Sequence, residues 1–279
     1  MSNTAVRVIV GIIGIPLIIF SAVTGNEVFL VFCTVLAFFC MNEFYNLFEP
    51  SESLSGFTRW LGGFSFHKAV FLAISILIVL CFYFEKFSYV LILYFIMFIF
   101  LILVEVFKEV KHFEAVGTWL LSVVYISTPF GLLSLMNTTR MLQTFEANYA
   151  IVVMVMVWVS DTFAFFGGKL FGKHKLAERI SPKKTWEGSI TGFIFTIICG
   201  IVFSYFYPAH SVYHWVSVAV VVGLFAQIGD LFESSLKRSV KVKDSSNLIP
   251  GHGGALDRFD SILFAVPALY ILLFLKSTL

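Results

Sequence analysis

The feature that most restricts how this chain can fold is a series of long apolar stretches with few charges inside them. An α-helix needs about 20 mainly apolar residues to cross a hydrocarbon core of about 30 Å. The hydrophobic share of the chain, 59%, and its charged share, 13%, are typical of a protein surrounded largely by lipid. We therefore predict an all-α polytopic membrane protein with about nine transmembrane helices, over residues 6–24, 28–48, 69–85, 88–107, 115–136, 149–169, 187–207, 213–231 and 259–276.

The first apolar stretch also has the outline of a signal peptide. Arg7 stands ahead of an apolar run that reaches Phe20. No small-x-small cleavage site followed by a soluble domain comes after it, however, so an uncleaved transmembrane helix is favoured.

The distribution of lysine and arginine predicts the orientation of the helices. With nine spans and a cytoplasmic N-terminus, 16 of the 19 lysine and arginine residues fall on the cytoplasmic side. The opposite side keeps Lys86, Arg140 and Lys276. Because cytoplasmic loops carry an excess of positive charge, we predict an N-in, C-out topology.

The cytoplasmic charge is concentrated in the C-terminal half. Two loops there, residues 170–186 and 232–258, hold most of it. We therefore divide the chain into an N-terminal region, 1–148, of about five spans, and a region 149–279 of about four spans that carries the candidate site. The simplest alternative is that both loops fix the topology and contact anionic lipid headgroups.

A set of aspartates lies within and beside these basic loops. Asp257 and Asp260 are three residues apart and share one face of the last predicted helix. Capping of that helix is the simpler role for them, but Asp230 is expected at the C-terminal end of its helix, where the dipole disfavours a carboxylate. Asp161 is a further acid within a predicted span. A hard cation such as Mg²⁺ explains the grouping, because it binds one or two carboxylates together with phosphate oxygens.

A glycine-rich turn precedes the last predicted helix. Glycines at 251, 253 and 254 allow the backbone to approach a ligand closely, and the helix start that follows is a typical anion site. The neighbouring cations make a polyphosphate a plausible ligand. His252 is expected to be a turn residue or a phosphate donor.

The segment SPKKTWEGS (181–189) joins the other basic loop to its helix. Thr185 is a candidate N-cap for a helix that begins near Trp186. Glu187 is expected either to face the helix dipole or to contact a ligand. The nearby GGKLFGK (167–173) approaches a P-loop motif, but His174 replaces the required Ser or Thr and a membrane helix precedes it, so a P-loop is not supported.

The stretch SSLKRSVKVKDSSNLIPGHGGALDRFDS resembles the C-terminal motif of the CDP-diacylglycerol synthases, or phosphatidate cytidylyltransferases. The resemblance also covers SDTFAFFGGKLFGKHKLAERISPKKTWEG (160–188) and the nine-span layout, and thus residues 150–279 most clearly. Two positions depart from the family pattern. Ala255 replaces a larger aliphatic residue and Phe163 a smaller one, which bears on the shape of the pocket.

The resemblance implies transfer of CMP from CTP to phosphatidic acid, giving CDP-diacylglycerol and pyrophosphate. It implies Mg²⁺ as cofactor, with a second, monovalent cation such as K⁺. It also implies a homodimer in the bacterial cytoplasmic (inner) membrane, with the catalytic loops facing the cytoplasm, and no nucleic acid as partner. The implied metal ligands are Asp230 and Asp257, supported by Asp260 and Asp161. The implied catalytic residues are Lys237, Arg238, Lys243 and Asp244. The implied substrate-binding residues are Ser181, Lys183, Lys184, Thr185, Glu187, His252, Gly253, Gly254 and Arg258.

Two other functions are compatible with parts of the pattern. A transporter also has many spans and buried acids, but it more often shows an internal repeat and charge near the membrane midplane. A membrane kinase of a prenol or diacylglycerol is a nearer alternative. The DGxxAR-type motif of the CDP-alcohol phosphotransferases is absent from the sequence.

Overall fold

The structure, a computed structural model, describes the backbone of residues 3–48, 66–107, 113–251 and 253–278, and the side chains of these residues except 3–10, 114, 115 and 278. His252, a predicted substrate-binding residue, lies outside the described residues.

Helices account for nearly all of the regular structure. The first six helices are α1 Asn3–Thr24, α2 Asn26–Phe48, α3 Phe66–Tyr83, α4 Phe87–Phe107, α5 Phe113–Ser122 and α6 Thr128–Met136, with a π-helical turn, Val123–Ser127, between the last two. The others are α7 Thr139–Phe145, α8 Tyr149–Phe171, α9 Trp186–Phe206, α10 Val212–Ser239 and α11 Leu256–Thr278.

The lengths of these helices confirm the predicted all-α polytopic class. Within the described part of the chain, eight helices are long and apolar enough to cross a membrane, and α5 to α6 act as one of them. The helix α1 has 22 residues, of which the described segment Gly11–Thr24 is apolar. The total of nine spans and the N-in orientation stay predictions.

Two local features differ from the sequence prediction. The loop predicted at 170–186 contains a two-stranded antiparallel hairpin, β1 Lys175–Ala177 and β2 Ser181–Thr185. The loop predicted at 232–258 begins later, because α10 continues to Ser239. Asp230 therefore lies well inside α10 and not at its C-terminal end, so the dipole argument made for it was wrong. Hydropathy ends a membrane span at the first charges, whereas helical hydrogen bonds continue through them.

Contacts between residues divide the described chain into two compact units. The first contains Met1–Thr138 and Ser245–Leu256, and the second contains Thr139–Asp244 and Asp257–Leu279. The predicted division at residue 148 stays a prediction.

The first unit packs α2, α3 and α6 against one another. Its core includes Phe44, Ile78 and Phe130, all fully buried. The π-helical turn stands just before Pro129, which cannot donate the hydrogen bond that an α-helix requires at its position.

The second unit packs α9 against α8 and α10. Gly188 and Gly192 on α9 lie so close to α8 that a Cβ atom at either position would stand 2.6 Å from a carbonyl oxygen, that of Ala164 or Ser160. This is the small-residue packing by which membrane helices approach closely, since lipid gives them no hydrophobic drive to associate. Gly229 on α10 lies similarly close to α11, since a Cβ atom there would stand 2.6 Å from the Asp260 carbonyl oxygen. The close packing brings the polar ends of these helices together.

Candidate active site

Eight of the residues singled out in the sequence line one cavity of about 500 Å³ in the second unit. They come from α8, the hairpin, α10 and α11, namely Asp161, Lys183, Lys184, Thr185, Asp230, Asp257, Arg258 and Asp260. Phe165 and Leu231 also line the cavity and add apolar surface to it. With Lys169, which also lines it, the cavity thus combines four carboxylates, four cations and apolar surface.

The hairpin brings its lysines to the cavity because β2 runs directly into α9. Thr185 caps α9 as predicted, its hydroxyl accepting a hydrogen bond from the Gly188 amide at 3.2 Å. Lys184, one residue earlier, places its Nζ 2.6 Å from Asp230 Oδ2. An ion pair at the cavity therefore joins the hairpin to α10.

Lys237 occupies a buried position between two carboxylates. Its Nζ lies 2.5 Å from Asp257 Oδ1 and 2.5 Å from Glu233 Oε2. Glu233 and Asp257 are 0% and 8% exposed. The charge of Lys237, an implied catalytic residue, is thus directed at acidic side chains of the protein.

Glu187 and Arg238 bind backbone groups. The Glu187 carboxylate accepts hydrogen bonds from the Lys173 and His174 amides, at 3.1 and 3.2 Å, and lies 2.6 Å from His174 Nδ1. Arg238 donates to the Ile180 and Val242 carbonyl oxygens. Glu187 thus holds the segment between α8 and β1, and Arg238 links the hairpin to the segment that follows α10.

The remaining predicted residues lie at other positions. Ser181 begins β2, and Lys243 and Asp244 are exposed on the segment that follows α10. Gly253 and Gly254 belong to the first unit. Ile249 donates a backbone hydrogen bond to the Gly253 carbonyl at 2.8 Å, which closes the predicted glycine-rich turn.

The predicted anion site at the start of α11 is filled by a side chain of the protein. The Ala255 and Leu256 amides donate hydrogen bonds to the carboxylate of Glu43, on α2. The expectation that these amides are open to a ligand was therefore wrong. Sequence reasoning missed both Glu43 and Glu233, although each is an acid within a membrane-spanning helix and such residues are candidates for function.

The carboxylates of the cavity suit a hard divalent cation. In the part of the chain that the structure describes, no three acidic, histidine or cysteine side chains converge closely enough to hold a metal by themselves. Mg²⁺ does not require this, since it is commonly held by one or two carboxylates and completes its shell with phosphate and water oxygens. The donor set fits Mg²⁺ bound together with a phosphate ligand.

Comparison with known proteins agrees with the chemistry of this site. A family model described as the cytidylyltransferase family matches residues 5–276. A phosphatidate cytidylyltransferase of Bacillus subtilis is 39% identical over 171 residues, which cover 61% of this chain and 62% of that protein. Phosphatidate cytidylyltransferases of Staphylococcus haemolyticus and Staphylococcus aureus are 46% identical over 127 residues, 45% of this chain and 49% of theirs. The chain thus spans about half to three fifths of the length of these curated relatives.

Proposed function

Since the chain belongs to the cytidylyltransferase family, we propose that it is a phosphatidate cytidylyltransferase. It transfers CMP from CTP to phosphatidic acid and releases CDP-diacylglycerol and pyrophosphate. The observation that carries the proposal is the cavity that Lys183, Lys184 and Arg258 line together with four aspartates and with apolar side chains. Such a cavity offers cations for phosphates, oxygen ligands for a metal, and surface for a lipid.

In the proposed reaction a phosphate oxygen of phosphatidic acid attacks the α-phosphorus of CTP. The bond from this phosphorus to the bridging oxygen breaks, and pyrophosphate leaves with the electron pair. A phosphomonoester with a second pKa of about 6 is largely dianionic at neutral pH, so the attack requires no strong general base. The residues of the cavity then act by orienting the two phosphates and by neutralising charge.

Mg²⁺ is the proposed cofactor, with Asp230 and Asp257 as its ligands and Asp161 and Asp260 beside them. When bound, the ion neutralises charge on the CTP phosphates. Lys184 is paired with Asp230, and Lys237 with both Asp257 and Glu233, so each aspartate has a cation that offsets part of its charge. A second, monovalent cation such as K⁺ stays a proposal that rests on the family alone.

The cations have separate proposed tasks. Lys183 and Arg258 are exposed side chains at the cavity and bind the substrate phosphates. Lys237 holds Asp257 and Glu233 in place. Lys243 and Asp244 are exposed and contact substrate through the segment that follows α10. Arg238 keeps the hairpin in position through the Ile180 carbonyl.

We further propose an N-in, C-out protein of the bacterial cytoplasmic membrane that acts as a homodimer. The bilayer supplies phosphatidic acid, and CTP arrives from the cytoplasm. Reporter fusions at residue 279 and within the hairpin test the topology. The C-terminal reporter is expected outside the cytoplasm and the hairpin reporter inside, and a cytoplasmic C-terminus contradicts the nine-span count.

The decisive test of the function is an assay with detergent-purified protein, phosphatidic acid, Mg²⁺ and CTP labelled at the α-phosphate. Label is expected in an organic-extractable lipid, with release of pyrophosphate, and ATP is expected not to replace CTP. Transfer of label from γ-labelled ATP to a prenol or diacylglycerol would instead identify a lipid kinase. A folded protein that labels no lipid from either nucleotide would contradict the proposal.

A further inference from the structure

The carboxylate of Glu43 accepts four hydrogen bonds within the first unit. It is 2% exposed, and each of its oxygens accepts one hydroxyl and one backbone amide. Oε1 accepts from Ser246 Oγ at 2.7 Å and from the Ala255 amide at 2.9 Å. Oε2 accepts from Ser245 Oγ at 3.0 Å and from the Leu256 amide at 2.8 Å. All four donors belong to one segment, residues 245–256.

These donors explain how a carboxylate is tolerated within an apolar helix. An ionised side chain removed from water is costly unless hydrogen bonds replace its hydration. Hydrogen bonds to a charged acceptor are also about twice as strong as neutral ones. Leu256 is the first residue of α11, where the helix dipole favours a negative charge. Glu43 therefore caps α11 from a helix that lies more than 200 residues earlier in the chain.

The glycine-rich turn is shaped around this carboxylate. Gly251 and Gly253 have positive φ angles of 75° and 86°, a region that other residues rarely adopt. A Cβ atom at Gly254 would collide with the Glu43 carboxylate and the Ser245 hydroxyl. The glycines thus allow residues 245–256 to wrap around Glu43.

Segment 245–256 joins two stretches that carry predicted site residues. Asp244 precedes it, and Asp257 follows Leu256 through a single peptide bond. A group that fixes the Leu256 amide therefore fixes the backbone from which Asp257 projects. Misplacement of a reacting group by about 1 Å can cost a factor of about 100 in rate.

We propose that Glu43 is a positioning residue for the cytidylyl transfer, because its carboxylate holds segment 245–256 and the first residue of α11. The inference rests on the proposed function and assigns a role to the N-terminal half of the chain. Glu43 does not contact substrate in this role. It acts through the two backbone amides, which cannot reverse their direction as a hydroxyl can.

The variant Glu43→Gln separates this role from a general contribution to stability. A glutamine amide group directs its own N–H atoms at one of the two backbone amides, which loses its acceptor. We expect turnover per folded molecule to fall at least about tenfold, with KM for CTP within about threefold of wild type. The double variant Ser245→Ala, Ser246→Ala keeps both amides bound and is expected to retain turnover within about threefold. Glu27→Gln is the matched control, since Glu27 is exposed on the same helix.

Hydrogen–deuterium exchange without substrate gives a second readout. In Glu43→Gln, faster exchange is expected in peptides that cover residues 245–257, with the rest of α2 as protected as in wild type. Wild-type turnover, or loss of protection throughout the first unit, would overturn the inference. If Glu43→Gln does not fold, Glu43→Asp decides between the same outcomes, because it keeps the charge but retracts it by one methylene group. A wild-type protein that makes no CTP-dependent lipid would overturn the function itself, whereas an active wild type with an unaffected Glu43→Gln overturns this inference alone.

Discussion

Lys237 Nζ lies 2.5 Å from Asp257 Oδ1, and the two residues are 9% and 8% exposed. The same ammonium group contacts the fully buried Glu233. A buried cation between two carboxylates balances part of their charge, and its removal leaves both without this partner. Lys237 therefore holds Asp257 in position and offsets part of its negative charge.

The variant Lys237→Met tests this relationship. Methionine keeps an unbranched side chain that is shorter by one heavy atom, and it leaves Glu233 and Asp257 without their shared cation. Breaking a buried ion pair typically lowers the free energy of unfolding by about 3–5 kcal/mol. The midpoint temperature of thermal unfolding in detergent is therefore expected to fall sharply. Lys173→Met, at an exposed lysine of the same unit, is expected to leave the midpoint unchanged. Equal midpoints for the two variants would contradict the role of Lys237.

The variants Asp230→Asn and Asp257→Asn test the proposed metal ligands. Asparagine keeps an oxygen that accepts from Lys184 or Lys237 but loses the negative charge that attracts a hard cation. Both variants are expected to insert and fold normally and to release no measurable pyrophosphate from CTP. Glu178→Gln, which removes an exposed carboxylate from the hairpin, should be active. Near-normal turnover of either aspartate variant would remove that residue from the metal site.

The variant Gly192→Ala tests the close packing of α8 and α9. A Cβ atom there would lie 2.6 Å from the Ser160 carbonyl oxygen, so the two helices must separate. Overpacking of this kind lowers the free energy of unfolding by about 1–3 kcal/mol. Turnover should fall as well, because Asp161 lies on α8 and the hairpin leads directly into α9. A Cβ atom at Gly117 meets nothing within 4 Å, so Gly117→Ala is the matched control and is expected to be neutral or stabilising. Thermal unfolding and pyrophosphate release measure the two effects.

The variant Glu187→Ala tests the anchoring of the hairpin. It removes the acceptor for the Lys173 and His174 amides, so the segment that leads into β1 is expected to open. Limited trypsin digestion should then cut at Lys175 and Arg179 faster than in wild type. Glu178→Ala, at an exposed position of the same hairpin, is the control. A digestion pattern identical to wild type would show that other contacts hold the hairpin.

Local sequence properties were sufficient to predict most of the helices. The predicted spans and the observed helices agree within a few residues at most ends, because hydropathy and helix length are properties of contiguous residues. The N-cap at Thr185 was predictable for the same reason. The extension of α10 to Ser239 was not predictable, because hydropathy indicates where contact with lipid ends and not where helical hydrogen bonding ends.

The sequence alone determined that this chain is a polytopic helical membrane protein, and it supplied the cations and aspartates that the cavity contains. The tertiary structure decided which partner each charged group has. Lys184 pairs with Asp230, Lys237 with Asp257, and Glu43 with amides more than 200 residues away. Charge and hydropathy are local properties of the sequence. The partner of each charged group depends instead on how the helices pack, through residues such as Gly192 and Gly229. A buried charge is stable only where that packing brings it a partner or a set of donors.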